Sequence, residues 1–398
     1  MKVSQISDHI HYIGVNDRIT SRFEAMWPLP YGVSYNSYLV TGADKIAIVD
    51  GVEACYALRQ IEHIREIAGD RKPDYLIINH MEPDHSGAIK ILRDAFPDIV
   101  IVGNAQTLAM VKGFYGVADK TLVVKDGDTL SLGADVNLRF TLTPMVHWPE
   151  TMMTYLVEEE TLFSGDAFGC FGALAGAVVD SDMDTSRYFP EMVRYYSSIV
   201  GKYGLFVQKA LRKFDSVAVR TLCTTHGPVW RERIAEVVGL YDKLSLYEPL
   251  DNGVTIIYGS MYGNTELMAE TAAEALAEAG IKEIDVHNAS VSDLSFMLSD
   301  IFRHRGLVVA APTYSDTLFP PVRNVMEAIA TRGVKNRDVL LIGSCTWGQK
   351  AVGVMGSYIE SIGAVSVADP IAFKQAATAE QLRQCREAAG ALAAKLLQ

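Results

Sequence analysis

The pattern of apolar runs changes near residue 250 of this 398-residue chain. Before that point, short runs such as SYLVTG, KIAIVDG and IVIVGNA alternate with turns, as β-strands do. Beyond it, strand-like runs such as VTIIYGS, GLVVAAPTY and VLLIGS alternate with helical patterns, the last from about Ala379 to Leu397. Such alternation predicts a parallel sheet with crossover helices. We therefore predict an α/β protein with two domains, 1–249 and 250–398, joined at SLYEPLDNGV, which holds a turn signal.

The helix that follows VTIIYGS is indicated by apolar residues at helical spacing. Gly280 is a suitable residue to end it. The residues predicted to form its apolar face are Leu267, Met268, Ala272, Ala275, Leu276 and Ala279.

Composition excludes several classes of partner and location. The formal net charge of -12 argues against nucleic acid, because phosphate binding needs a basic surface. No apolar run is long enough to predict a membrane span, and the N-terminus has no signal-peptide pattern. The five cysteines are scattered and form no CxxC pair, as expected in a reducing compartment. We expect a cytoplasmic protein that binds neither nucleic acid nor membrane.

A cluster of possible metal ligands follows the apolar run that begins at Tyr75. It reads HMEPDH and contains four metal-binding side chains within six residues. Single histidines and aspartates also stand after three later apolar runs, where each alone would be a helix cap or a surface residue. Together they predict a metal site, because loops at strand ends carry function on a rigid scaffold. The candidate residues are His80, Glu82, Asp84, His85, His147, Asp166 and His226.

This motif resembles that of the metallo-β-lactamase superfamily over about residues 1–248, which implies an αββα sandwich. Hydrolases of that fold have HxHxDH, whereas this chain has Glu82 in place of the second histidine. Zinc sites favour nitrogen and sulfur ligands, whereas a carboxylate-rich set with open positions suits iron. Zinc also accepts carboxylates, so the residue types favour iron without excluding zinc.

Three loops of the second half predict a cofactor site. The first, between a strand and a helix, offers backbone amides and hydroxyls to a phosphate, although a plain turn with a helix cap has a similar sequence. The others also leave the carboxyl ends of predicted parallel strands, where open α/β sheets bind ligands. The candidate residues are Ser260, Met261, Tyr262, Gly263, Asn264 and Thr265 in the first loop, Pro312, Thr313, Tyr314 and Ser315 in the second, and Ser344, Cys345, Thr346, Trp347 and Gly348 in the third.

The three loops resemble those of flavodoxin over about residues 252–398, which implies a doubly wound parallel sheet and FMN. No GxGxxG follows any predicted strand, so a dinucleotide cofactor is not expected.

The order of the two domains resembles that of the flavodiiron proteins, or A-type flavoproteins, over nearly the whole chain. The resemblance implies an oxidoreductase that reduces O2 to water, NO to N2O, or both, at two iron ions that receive electrons from FMN. It implies one iron on His80, Glu82 and His147, and the other on Asp84 and His226. Asp166 would bridge the two ions, and members of the family differ on whether the equivalent of His85 binds iron. Candidates for the wall of the iron pocket are Trp148, Tyr195 and Tyr196, which core packing explains equally well.

The resemblance also bears on partners. The chain ends at Gln398 with no rubredoxin or flavin-reductase sequence after the second domain. An external electron donor is therefore expected: rubredoxin, a reduced deazaflavin or an NAD(P)H-linked reductase. A head-to-tail homodimer, or a dimer of such dimers, is expected as well.

Two other functions are compatible with the motifs. The first is a hydrolase of the metallo-β-lactamase type with a flavin regulatory domain, in which a zinc-bound hydroxide would attack a thioester or phosphoester. The second is an electron carrier whose metal site is structural. The motifs do not rank O2 against NO as a substrate.

Overall fold

The computed structural model describes residues 4–398, and its internal contacts divide the chain into two units. The first unit extends to Tyr196 and includes Leu205–Asp242. The second contains Ser197–Gly204 and Lys243–Gln398. Among the helices of residues 4–398, none combines the length and the apolar character needed to span a membrane.

Two sheets form the centre of the first unit. Its strands are β1 (Ser4–Gln5), β2 (Ile10–Tyr12), β3 (Val15–Asp17), β4 (Arg22–Phe23), β5 (Trp27–Pro28), β6 (Val33–Tyr35), β7 (Tyr38–Thr41), β8 (Ile46–Val49), β9 (Tyr75–Ile77), β10 (Val100–Gly103), β11 (Thr121–Val123), β12 (Thr129–Ser131), β13 (Asn137–Leu142), β14 (Met152–Leu156), β15 (Thr161–Gly165) and β16 (Thr221–Thr224). In the described chain, one sheet has the order β1-β2-β7-β8-β9-β10-β11 and the other β12-β13-β14-β15-β16, with β3–β6 and β4–β5 as small pairs.

The helices of this unit lie in the connections between strands. They are α1 (Ala57–Ala68), α2 (Pro83–Ser86), α3 (Ile89–Ala95), α4 (Ala105–Tyr115), α5 (Tyr188–Tyr195), α6 (Gly204–Lys213) and α7 (Ile234–Ser245). The strands β8, β9, β10 and β11 are parallel, as are β15 and β16. Strands β8, β9 and β10 are nearly continuous apolar runs that are mostly buried, as expected of strands covered on both faces, whereas β11 at the edge of that sheet is exposed. The sheets and helices agree with the predicted αββα sandwich.

The second unit is built on one mainly parallel sheet. Its strands are β17 (Asp251–Tyr258), β18 (Ile284–Asn288), β19 (His304–Tyr314), β20 (Thr317–Leu318), β21 (Asp338–Cys345), β22 (Val365–Ser366) and β23 (Ile371–Lys374). Its helices are α8 (Asn264–Glu278), α9 (Leu294–Arg303), α10 (Pro320–Arg332), α11 (Ala351–Ser361) and α12 (Ala379–Leu396). The order β18-β17-β19-β21, with β22 and β23 both beside β21, is the 2-1-3-4-5 order of the flavodoxin-like fold.

The predicted helix after VTIIYGS is confirmed as α8, but two residues assigned to its apolar face were wrong. Leu267 is 49% exposed and Ala279 is also exposed. Residues at i, i+3, i+4 and i+7 share a helical face, and Leu267 lies outside that series. The helix ends just before Gly280, whose φ of +98° suits glycine. The buried residues are Thr265, Met268, Ala269, Thr271, Ala272, Ala275 and Leu276.

Candidate metal and cofactor sites

The HMEPDH motif occupies the loop after β9 and the first turn of a short helix. Pro83 begins α2, where its fixed φ suits the first helical position. The amide of His85 donates to the carbonyl of Glu82 at 2.9 Å. This turn directs the side chains on both sides of Pro83 into one buried region.

One group of ligand atoms joins His80, Glu82, His147 and Asp166. All four donor atoms lie within 4.8 Å of one another, and all four residues are buried. His147 Nε2 is 3.1 Å from Glu82 Oε2 and 3.1 Å from Asp166 Oδ2. His80 Nε2 is 3.3 Å and 3.4 Å from the same two oxygens. Two imidazoles with one or two carboxylates form a ligand set typical of non-haem iron.

A second group joins Asp84, His85 and His226. His226 Nε2 is 3.3 Å from Asp84 Oδ2, and His85 Nε2 is 3.2 Å from the same oxygen. Asp166 connects the two groups, because its Oδ1 is 2.9 Å from His85 Nε2 while its Oδ2 faces the first group. One carboxylate therefore presents an oxygen to each group.

The donor atoms of the second group fit a metal ion because protein atoms do not satisfy them. Within residues 4–398, both oxygens of Asp84, both ring nitrogens of His85 and Nε2 of His226 are buried without hydrogen-bond geometry to any partner. A buried polar atom left in this state costs about 1–3 kcal/mol. A bound cation would coordinate a carboxylate oxygen of Asp84 and one ring nitrogen each of His85 and His226. Hard oxygens together with imidazole nitrogens suit a first-row divalent metal.

The electrostatics of the site favour cations. Burial lowers the pKa of His80, but Asp166, Glu150 and Glu82 outweigh it and raise that pKa to about 10. Burial also lowers the pKa of His147, but hydrogen bonds to Asp166 and Glu82 outweigh it and raise that pKa to about 9. The raised pKa values mean that the surrounding carboxylates favour positive charge on these imidazoles. Metal ions would displace protons from these imidazoles.

Three residues that the sequence analysis did not identify orient the ligands. Glu150 Oε1 lies 2.9 Å from His80 Nδ1 and also accepts the amide of Met81. The hydroxyl of Thr225 donates to Asp166 Oδ1. The carbonyl of Ser34 lies 2.7 Å from Nδ1 of His226. Glu150 and Thr225 stand close in sequence to predicted ligands, but no spacing rule distinguishes them from surface residues.

The predicted pocket-wall residues have different surroundings. The ring of Tyr195 is 5.5 Å from that of His226, and its buried hydroxyl has no hydrogen-bond partner among the described residues. The ring of Trp148 is 5.3 Å from that of His80. Tyr196 packs on the ring of Tyr241 at 5.0 Å. Tyr195 and Trp148 therefore lie beside the ligand groups, and Phe23, also missed from sequence, has its ring 5.3 Å from that of His226.

In the second unit, the three predicted segments lie at the carboxyl ends of β17, β19 and β21, which are neighbouring parallel strands. Residues 312–314 and 344–345, predicted as loop, are the last residues of β19 and β21, because strand pairing continues through them. The carboxyl ends of the three strands meet at one edge of the sheet, next to the point where the strand order reverses. A cleft at this edge is lined by eleven residues: Ser260, Met261, Tyr262, Asn264, Thr265, Pro312, Thr313, Ser344, Cys345, Thr346 and Gln375. Of these, only Gln375 was not predicted, because it follows a fourth strand, β23.

The first loop has the features of a phosphate site. Gly263 adopts a φ of +87° just before α8, and its amide donates to the hydroxyl of Ser260 at 3.1 Å. Thr265 and Ser344 bring their hydroxyls within 2.8 Å of each other, which joins the first and third loops. The amide groups of the first turn of α8 lie behind this loop and favour an anion.

Aromatic side chains in these loops are unusually exposed. Trp347 is 89% exposed, Tyr262 90% and Tyr314 45%. Exposed rings of this size are suited to cover a flat ligand, because burying their apolar faces against it removes those faces from water, which is favourable. Of the predicted residues, Gly263, Tyr314, Ser315, Trp347 and Gly348 are not among those that line the cleft. The polar loop and these rings fit a phosphate-bearing flavin.

Comparisons with known proteins agree with both sites. Residues 33–227 match the model of the ODP family beta lactamase, and residues 256–388 match that of flavodoxin. The chain is 30% identical over 366 residues to an anaerobic nitric oxide reductase flavorubredoxin of Escherichia coli O1:K1, covering 90% of this chain and 75% of the relative.

Solved structures match the whole length of the chain. Rubredoxin oxygen:oxidoreductase from Desulfovibrio gigas has a TM-score of 0.93 and 28% identity, covering 100% of this chain and 99% of that one. The flavodiiron protein from Giardia intestinalis has a TM-score of 0.93 and 25% identity, covering 100% and 97%. With a metallo-β-lactamase-like unit followed by a flavodoxin-like unit, the chain belongs to the flavodiiron protein family.

Proposed function

We propose that this protein is an oxidoreductase that reduces O2 to water, NO to N2O, or both, at two iron ions that receive electrons through FMN. The position of Asp166 carries the proposal, because its two oxygens face two separate groups of metal-binding side chains. The names of the relatives support it: one is a nitric oxide reductase and another an oxygen oxidoreductase.

The ligands are assigned from the two groups. His80, Glu82 and His147 would hold one iron, and Asp84 and His226 the other, with Asp166 bridging. His85 is proposed as a further ligand of the second ion, since its Nε2 lies among the donor atoms of that group.

When bound, the two ferrous ions would supply electrons and open coordination positions for the diatomic substrate. The protein contributes the surroundings. Glu150 fixes the orientation of His80, and the burial of the ligands keeps bulk water out. The hydroxyl of Tyr195 is buried near His226 and is available to donate a hydrogen bond. Trp148 forms part of the wall beside His80.

FMN would bind in the cleft of the second unit. Ser260, Asn264 and Thr265 would hold the phosphate, while Tyr314 and Trp347 would cover the ring. The remaining contacts are assigned to Met261, Tyr262, Gly263, Pro312, Thr313, Ser315, Ser344, Cys345, Thr346 and Gly348. Gln375 is added because it lines the same cleft.

Electrons would come from an external donor, which we propose to be rubredoxin, a reduced deazaflavin or an NAD(P)H-linked reductase. Rubredoxin is favoured by the name of the Desulfovibrio gigas relative.

The scattered free cysteines support a cytoplasmic location. The domain boundary is proposed between residues 249 and 250.

The working unit is proposed to be a head-to-tail homodimer, or a dimer of such dimers, in which the flavin of one subunit serves the irons of its partner. Two-fold symmetry would create both junctions at once. A mixed dimer tests this: one subunit carries Asp166→Ala and the other a substitution of Thr265. Activity restored in verified mixed dimers would support transfer between subunits, and its absence would contradict it.

The hydrolase and structural-metal alternatives gain no support, since the relatives that match across both units are named as redox enzymes. The proposed function is tested by elemental and flavin analysis of protein from iron-replete cells, followed by gas-electrode assays with a chemically reduced donor. Two irons, one FMN and consumption of O2 or NO are expected. Stoichiometric zinc, or no consumption of either gas, would contradict the proposal.

A further inference from the structure

The first unit contains a cavity of about 550 Å³ that has no role in the reaction proposed above. It lies between β14, β15 and β16 on one side and the helices α6 and α7 on the other. The strands contribute Met153, Leu162 and Leu222, and α6 contributes Val207, Ala210 and Leu211.

The interior of the cavity is apolar, and its charged lining residues are exposed. Asp215, Arg231 and Glu232 line it and are open to solvent, so they mark its mouth. The guanidinium of Arg231 is already engaged, since Nη2 donates to the carbonyl of Ile6 at 2.9 Å. An anionic amphiphile would therefore meet two carboxylates and one guanidinium that already donates to the main chain. A small neutral solute would enter without electrostatic repulsion from Asp215 and Glu232.

The cavity is separated from the ligand groups by a thin wall of main chain. Val146 lines it and directly precedes His147, while Ala167 and Phe168 line it and directly follow Asp166. The next residue, Gly169, is packed against the metal site: a Cβ there would lie 3.5 Å from the Cβ of His226. The peptide segment that carries a bridging ligand on one side thus forms the cavity wall on the other.

Aromatic side chains complete this wall. The ring of Phe168 packs against that of Tyr241, with 4.7 Å between centroids, and both residues line the cavity. Tyr241 in turn packs against Tyr196 at 5.0 Å. Passage of a diatomic molecule from the cavity to the ligand groups would require these rings to rotate.

O2 and NO are small, neutral and weakly polar, so an apolar cavity holds them better than water does. Cavities lined by aliphatic and aromatic side chains bind xenon for the same reason. We propose that this cavity is a holding site for neutral diatomic gas, from which the adjoining metal site is supplied. The supply role rests on the proposed function, whereas the affinity for apolar gas does not.

Filling the cavity tests the proposal. Ala210 is nearly buried on α6 and lines the cavity, so Ala210→Phe would occupy part of its volume. Val207→Phe is a second filling variant, in case the first fails to fold. The matched control is Leu205→Phe, on the same helix at a residue that is 63% exposed. Circular dichroism and metal content verify folding, and xenon-pressurised crystals of the full chain locate bound xenon.

Xenon is expected in the wild type and in the control, and it should be lost from the filled variants. The filled variants should lose kcat/KM for O2 or NO several-fold, with unchanged kcat at saturating gas and unchanged rates of flavin reduction. Absence of xenon from the wild-type cavity would overturn the proposal. So would a folded variant that excludes xenon but keeps its kcat/KM, or a co-purifying amphiphile in the cavity.

The two proposals fail in different ways. If the wild type binds xenon in the cavity but consumes neither gas, the proposed function is overturned together with the supply role. If it consumes gas but binds no xenon there, the cavity proposal alone is overturned.

Discussion

Nδ1 of His80 lies 2.9 Å from Oε1 of Glu150, on the side of the imidazole ring that faces away from the other metal-binding groups. The carboxylate accepts this hydrogen bond, so Nε2 of His80 is the ring nitrogen that faces Glu82 and Asp166 and would bind a cation. Histidine ligands in metal sites are commonly oriented by such a carboxylate. Glu150 is itself buried and also accepts the amide of Met81, so its position is fixed.

Replacing Glu150 should weaken metal binding without removing a ligand. Outer-shell partners of this kind typically contribute about 10- to 100-fold to metal affinity, so we expect a loss in that range for Glu150→Ala. Glu150→Gln, which keeps an acceptor oxygen, should lose less. Competition with a chelator measures the affinity, and Glu66→Ala, at an exposed position on α1, is the control. An unchanged affinity in Glu150→Ala would mean that His80 needs no orienting partner.

Asp166→Ala should lose both metal ions, because one carboxylate serves both groups of ligands. The flavin should remain bound, since its loops belong to the other unit. Elemental analysis and the visible flavin spectrum of the same sample measure the two properties together. Retention of two irons with full activity would rule out a bridging role for Asp166.

Thr265→Val should weaken FMN binding and leave the metal ions in place. The hydroxyl of Thr265 is buried beside that of Ser344, and valine preserves the shape of the side chain. Loss of a hydrogen bond to a charged phosphate costs about 1.5–3 kcal/mol, so FMN should bind about tenfold or more weakly. The control is Thr271→Val, on the same helix, whose hydroxyl donates to the carbonyl of Leu267. Metal content should not change in either variant. Equal FMN affinity in both variants would mean that Thr265 does not bind the phosphate.

The stability of the second unit should depend on pH through His304. This side chain is fully buried, with Nδ1 against Asp251 and Nε2 2.7 Å from Asp285. Burial lowers the pKa of His304, but the two carboxylates outweigh it and raise the pKa above the ordinary value of 6.5. A raised pKa in the folded state stabilises the protein fully below 6.5, and this contribution is lost as the pH rises through the folded-state pKa.

Denaturant unfolding from pH 6 to pH 9 measures this effect. The free energy of unfolding should fall with rising pH in the wild type and fall less in His304→Gln, which cannot be protonated. The matched control is His287→Gln, which replaces a partly buried histidine whose ring faces Asp300. If wild type and His304→Gln show the same pH dependence, the imidazolium of His304 does not stabilise the fold.

The sequence predicted the fold and the positions of the candidate ligands because both depend on local patterns. The HMEPDH motif stands at the end of β9, and the strand–loop–helix pattern around Gly263 is local as well. The structure brings the seven predicted metal-binding residues into two adjacent groups. Their roles as ligands stay predictions until metal is measured.

The residues missed from sequence act over long separations or through ordinary side chains. Ser34 contributes only a carbonyl, and its contact with His226 spans 192 residues. Gln375 reaches the flavin cleft from a strand that the alternating pattern did not single out. Phe23 is an apolar residue of β4 that any core would accommodate. Such contacts depend on how the chain folds back on itself, and no spacing along the sequence encodes them.

We propose that electrons held by FMN and two irons reduce a diatomic gas at the metal site. The most direct measurement is anaerobic reduction of the loaded protein, followed by rapid mixing with O2 and, in parallel, with NO while the flavin absorbance is recorded. We predict fast flavin reoxidation with at least one of the gases, with water or N2O as product and no release of hydrogen peroxide. Metal-depleted protein should reoxidise much more slowly. Flavin that stays reduced with both gases, or that reoxidises equally fast without metal, would contradict this proposal.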